Sequence, residues 1–134
     1  MKSGIEIAVV YTDVHLMELQ ISASNVVFAG QVNAYVTHSD AAGFSEALKG
    51  FPSNVGDVRR MELGANATFV FSTIDDVGHS MVAVEISADT IGPNRLTGKA
   101  AFNILVNPAE IDQFVDELSE LTPDVGKSAF LKGA

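Results

Sequence analysis

The segment Ala67–Asp89, ATFVFSTIDDVGHSMVAVEISAD, constrains this chain more than any other. Two runs rich in β-branched and aromatic residues flank Asp75-Asp76-Val77-Gly78, and His79 opens the second run. Such residues favour strands. Asp favours the turn between them by bonding its own backbone, and Gly78 favours it by supplying a positive φ. The segment therefore reads as a β-hairpin, and the fold must contain an antiparallel sheet.

Alternation of apolar and polar residues predicts further strands at about 4–11, 14–23 and 26–37, then 57–63, 67–74, 79–88 and 96–106. Met17, Leu19, Ile21 and Ala23 share one face of the second, Val32, Ala34 and Val36 one face of the third, and Phe102, Ile104 and Val106 one face of the last. Gly30, inside a strand, marks a bulge or bend. A loop through Gly92-Pro93-Asn94 precedes the last of these strands. Between the two groups of strands the period changes. Ala41, Phe44, Leu48 and Phe51 follow helical spacing, with Ser39 or Asp40 as cap, an end near Lys49, Gly50 in the left-handed position and Pro52 as a stop. Asn107-Pro108-Ala109-Glu110 starts a second helix, with Glu110 placed to reach back to the cap amide. Its stripe is Ile111, Phe114, Val115, Leu118 and Leu121, and it stops before Pro123.

The expected architecture is one α+β domain over residues 1–134: a twisted antiparallel sheet of about seven strands with two helices packed on it. Residues 124–134 form either a flexible tail or a short edge strand. A faint echo accompanies this plan. Gly30 stands nine residues before Ser39 and Gly98 nine before Asn107, a strand–cap–helix unit at a spacing of 68. A shared order of strand then helix would produce the same echo.

Net charge is −9, from 17 acids against 8 bases. Phosphate recognition depends on clustered Lys and Arg, so nucleic acid and anionic membranes are disfavoured and a basic protein partner is permitted. No apolar run approaches the ~20 residues of a membrane span, and the stretch Ile7–Tyr11 is too short for a signal-peptide core. With no cysteine in the chain, a cytoplasmic setting is expected. No cofactor motif is complete. Val125-Gly126-Lys127-Ser128 resembles the end of a phosphate loop, but Leu121 stands where the first Gly belongs, and the segment follows a helix.

Few residues suggest chemistry. Asp75, Asp76 and His79 are metal-ligand types within five residues, but neighbouring side chains on extended backbone diverge, and the turn reading outweighs a metal site. Asp13 and His15 have the spacing of an acid that orients an imidazole, without a nucleophile at recognisable spacing. His38 belongs to a helix boundary. Arg59 and Arg60 point to opposite faces of a strand, and Arg60 shares a face with Glu62. The helix after Asn107 is the stronger candidate. Asp112, Asp116 and Glu120 succeed one another at i, i+4 and i+8, with Glu110 and Glu117 beside them and no Lys or Arg in the helix. Like charges at this spacing cost ~0.2–0.5 kcal/mol per pair. A solvated face is the plain explanation, and an interaction surface for a basic partner is the functional one.

Read in order, the blocks FSEALKGFP, VRRMELG, FVFSTIDDVGHSMVAVEI and NPAEIDQFVDEL resemble a group of small uncharacterised bacterial domains, some of them similar to immunity proteins encoded beside polymorphic toxins. The resemblance covers most of Phe44 to Leu121 and brings no catalytic residues. It implies a non-enzymatic, partner-binding protein. The leading expectation is an immunity-like interaction domain that binds a basic partner through Asp112, Asp116 and Glu120; an edge strand could also pair two copies. The alternative is a small-molecule-binding domain or hydrolase-like enzyme with a pocket between sheet and helices and His15 or His79 as acid–base group.

Overall fold

Alternation along the chain sorts it into strands, and hydrogen bonding divides those strands between two sheets. The computed structural model describes residues 3–77, 79–89, 93 and 96–134. Strands β1 (Gly4–Thr12), β2 (Leu16–Ser24) and β3 (Ala29–Thr37) form a meander, followed by helices α1 (His38–Ala42) and α2 (Phe44–Leu48) and by β4 (Val58–Leu63). A second meander, β5 (Ala67–Thr73), β6 (Ser80–Asp89) and β7 (Thr97–Val106), leads to α3 (Pro108–Ser119) and β8 (Ser128–Lys132). The strand orders are β3-β2-β1-β8 in sheet A and β4-β5-β6-β7 in sheet B, every neighbouring pair antiparallel.

The expectation of one sheet of about seven strands is therefore corrected to two four-stranded sheets. Period-2 alternation says which side chains of a strand share a face, and nothing about which strands are neighbours. The eighth strand lies in the tail, where β8 pairs with β1 through Ile5↔Leu131 and Ile7↔Ala129. Of the two readings of residues 124–134, the edge strand is the one observed.

The same plan occurs twice: meander, helix, single strand. Each closing strand joins the other meander, β4 beside β5 and β8 beside β1. From β3 onward equivalent positions stand 70 residues apart, not the 68 of the glycine echo: Thr37 and Asn107 are the N-caps, and Phe44 and Phe114, Leu48 and Leu118, and Phe51 and Leu121 are buried pairwise. The turns into the closing strands also match. Gly56 and Gly126 take φ of +88° and +99°, and the bonds Asp57 N–H to Asn54 O and Lys127 N–H to Asp124 O are both 3.2 Å. The fragment that resembles a phosphate loop is this turn.

Three hairpin loops share one device. Asp13 accepts from the amides of His15 and Leu16, Asn25 from those of Val27 and Phe28, and Asp75 from those of Val77 and His79. An Asx side chain thus replaces a backbone acceptor at each turn. The β5–β6 hairpin closes with Ile74 N–H to His79 O at 2.9 Å. The positive φ expected at Gly78, and the loop expected at Gly92 and Asn94, lie outside the described residues.

The inward rows meet in one core. Ile5, Ile7, Leu19, Ile21, Phe69 and Phe71 from the sheets pack with Leu48, Ile111 and Phe114 from the helices. α3 lies against β8 and α2, and α2 against β4. The expected first helix is interrupted at Gly43. Its cap is Thr37, not Ser39 or Asp40: Thr37 Oγ1 accepts from the Asp40 amide at 3.0 Å, and the Asp40 carboxylate accepts from the Thr37 amide. Gly50 has φ +76° after the Lys49 C-cap, as expected. At α3, Asn107 is the cap residue without a side-chain bond, and the Glu110 amide donates to its carbonyl instead. Gly30 sits in regular register opposite Ala23, so it is not a bulge. A Cβ there would stand 2.5 Å from Ile86 Cδ1 of sheet B. Glycine lets the two sheets touch. The irregularity lies in β1, between Val9 and Tyr11.

Candidate functional site

On α3 the apolar and acidic positions separate cleanly. Ile111, Phe114 and Leu118 are buried, while Asp112, Asp116 and the C-cap Glu120 are exposed. Their spacing of four sets them along one ridge. Among the described residues none of the three joins an ion pair. Glu117, expected to add to the ridge, instead turns to β8: its Oε1 accepts from the Phe130 amide at 2.8 Å. Gln113 Nε2 lies 3.4 Å from its other oxygen.

The repeat adds one acid that sequence reasoning did not assign to this surface. Glu46 occupies in α2 the position of Asp116 and is exposed, whereas Asp40, the equivalent of Glu110, turns its carboxylate to the Thr37 amide. Because α2 and α3 pack together, the outward side of the helical layer carries acid from both repeats. The spacing of 70 is the signal that would have found it.

The remaining candidates divide between the two sheets. Asp75 Oδ2 meets His79 Nδ1 at 2.5 Å, and this bond, ahead of the amides of His79 and Val77, lowers the Asp75 pKa. Asp76 is exposed beside them, and no three His, Asp or Glu side chains converge among the described residues. Asp13 and His15 occupy the equivalent hairpin in sheet A. There the carboxylate bonds the backbone of His15 and Leu16, lowering its pKa, first through the Leu16 amide. His38 Nε2 lies 3.5 Å from Thr12 Oγ1. His15 and His79 are thus at the tips of separate hairpins, both exposed.

Hollows are shallow and spread over the surface. One of about 500 Å³ lies on sheet A among Glu6, Ser22, Gln31 and Phe130. Another, of about 340 Å³, lies between α1–α2 and the edge of β4, among Asp40, Gly43, Ala47, Arg60 and Glu62. No helix among the described residues is long and apolar enough to cross a membrane.

One polar centre escaped sequence reasoning. Arg59 pairs with Asp57 through two nitrogens, at 3.0 and 2.9 Å, donates to the Lys49 carbonyl at 3.0 Å, and lies over the Phe51 ring at 5.8 Å from its centroid. The sequence places Arg59 and Arg60 on opposite faces of β4 but does not show that the end of α2 comes back to meet Arg59. Arg60, on the other face, pairs with Glu62 at 2.8 Å as expected. Comparison of the chain with protein-family models, with curated proteins and with solved structures finds no match.

Proposed function

We propose that this protein is an interaction domain whose acidic helical layer binds a basic protein partner. One observation carries the reading: Asp112, Asp116 and Glu120 remain exposed and without a cationic partner among the described residues, on a helix whose buried face already holds it in place. Their mutual repulsion adds nothing to the fold. Clustered charge of one sign raises the rate at which an oppositely charged protein docks. The immunity-like setting implied by the resemblance supplies a partner class of this kind, a cognate protein neutralised by direct contact.

The test compares the immobilised parent with the triple variant Asp112→Asn, Asp116→Asn, Glu120→Gln in capture from lysate, with the retained proteins identified and their association rates measured against salt. The expected result is a basic protein held by the parent, whose association with the variant is slower and less dependent on salt. Equal rates for parent and variant at every salt concentration would mean that the face is only solvated.

A further inference from the structure

Two four-stranded sheets have four edges, and three of them carry a block. At β8 the outward Phe130 amide is taken by Glu117. At β7 the outward carbonyls of Asn103 and Leu105 accept from Asn25 Nδ2 at 3.0 Å and from the Ala134 amide at 2.8 Å. At β3 the Thr37 amide turns to Asp40, and Gly64 sits on the Tyr35 carbonyl, where even a Cβ would come within 2.8 Å.

The β4 edge has no such block among the described residues. Ser87 N–H bonds Asn66 O, so alternate residues of β5 from Asn66 onward face β6. Phe69 and Phe71 therefore bond Met61 and Arg59, and the amides and carbonyls of Arg60 and Glu62 point outward. Arg60 is the repeat equivalent of Phe130. The equivalent of Glu117 is Ala47, which has no carboxylate to offer, and the hollow between α1–α2 and β4 lies at this place.

We propose that β4 pairs antiparallel with β4 of a second copy, joining two B sheets across a twofold axis at Met61. The sequence of the strand selects this occupant. In that register Arg60 of each copy exchanges both backbone hydrogen bonds with Glu62 of the other, and their side chains, already on the same outward face, stand directly opposite with opposite charge. Two ion pairs form by symmetry from one Arg and one Glu. Exposed edges that lack blocks are the ordinary sites of such pairing.

The inference is independent of the acidic-layer reading and is tested on the full chain by sedimentation equilibrium over a concentration series at low salt. The parent is expected to dimerise. Arg60→Glu and Glu62→Arg each place like charges opposite one another twice and are expected to raise the dissociation constant about tenfold or more. The double variant Arg60→Glu, Glu62→Arg restores opposite charges and is expected to dimerise again. Ala47→Glu supplies the carboxylate that the second repeat uses to cover β8, and is expected to stay folded by circular dichroism and be monomeric. A monomeric parent, a double variant that fails to recover, or a folded Ala47→Glu protein that dimerises like the parent would each overturn the proposal.

Discussion

Arg59 of β4 and Asp57, just before that strand, bind each other edge to edge, Nε to Oδ1 and Nη2 to Oδ2. Two-point geometry makes this pair stronger and more directional than an ordinary surface contact. With the amide of Ser53, Arg59 holds the Asp57 carboxyl down at about 2, against an ordinary 3.8. A pKa lowered by folding contributes stability above the unfolded value and loses it as pH falls through the folded one. The contribution is therefore complete above about pH 4 and fades toward pH 2. Asp57→Asn is expected to be less stable than the parent at pH 6, and the gap in denaturation midpoint should narrow progressively as pH falls from about 4 toward 2. A constant gap would show that the carboxylate charge plays no part.

Phe114 and Phe44 hold equivalent places in the two repeats and both are buried. Truncating a buried Phe costs about 3–5 kcal/mol, a large share of the 5–15 kcal/mol typical of a domain. Phe114→Ala and Phe44→Ala should each lower the urea midpoint strongly. If only one does, the two helices do not share a common core.

The Asp75–His79 loop is a turn, and its imidazole is engaged by Asp75. Calorimetric titration with Zn²⁺, Mn²⁺ and Ca²⁺ should therefore give no binding tighter than micromolar. A stoichiometric site that disappears in His79→Ala would replace the turn reading with a metal site.

Gly30 and Ile86 form one close contact between the sheets. Gly30→Ala brings a methyl group within 2.5 Å of Ile86 Cδ1, the far end of a flexible side chain, which must turn aside at a cost of about 0.5–1.5 kcal/mol. Ile86→Val removes the clashing carbon. A double-mutant cycle should show the two changes to be less destabilising together than their sum, and simple additivity would place the strain elsewhere.

Much of this fold is legible in the sequence, because alternation and capping are local. The inward residues of β2, β3 and β7, the stripe of α3 and the Asp75 turn can all be read without coordinates. Strand partnership cannot. Nothing near Phe130 or Glu6 in sequence says that β8 lies beside β1, and the true repeat, spaced by 70, preserves burial more than identity: Val32 answers to Phe102, Ala34 to Ile104 and Arg60 to Phe130. The acidic ridge is equally legible as a pattern. Its extension to Glu46, and the diversion of Glu117 to the β8 backbone, depend on long-range packing of α2 against α3 and of α3 against β8.

The exchange of closing strands gives the two sheets different histories during synthesis. Sheet B grows from neighbours: β4 meets β5 across the three residues from Gly64 to Asn66, and β6 and β7 follow as successive hairpins. Sheet A is different, because Ile5 must wait for Leu131. Until the ribosome has released nearly all of these residues, the outer edge of β1 has no strand beside it, and contacts of such long sequence separation form slowly. A nascent or truncated chain lacking β8 would thus display the backbone of Ile5 and Ile7 to any strand nearby, which makes this edge the point where assembly is most exposed to error.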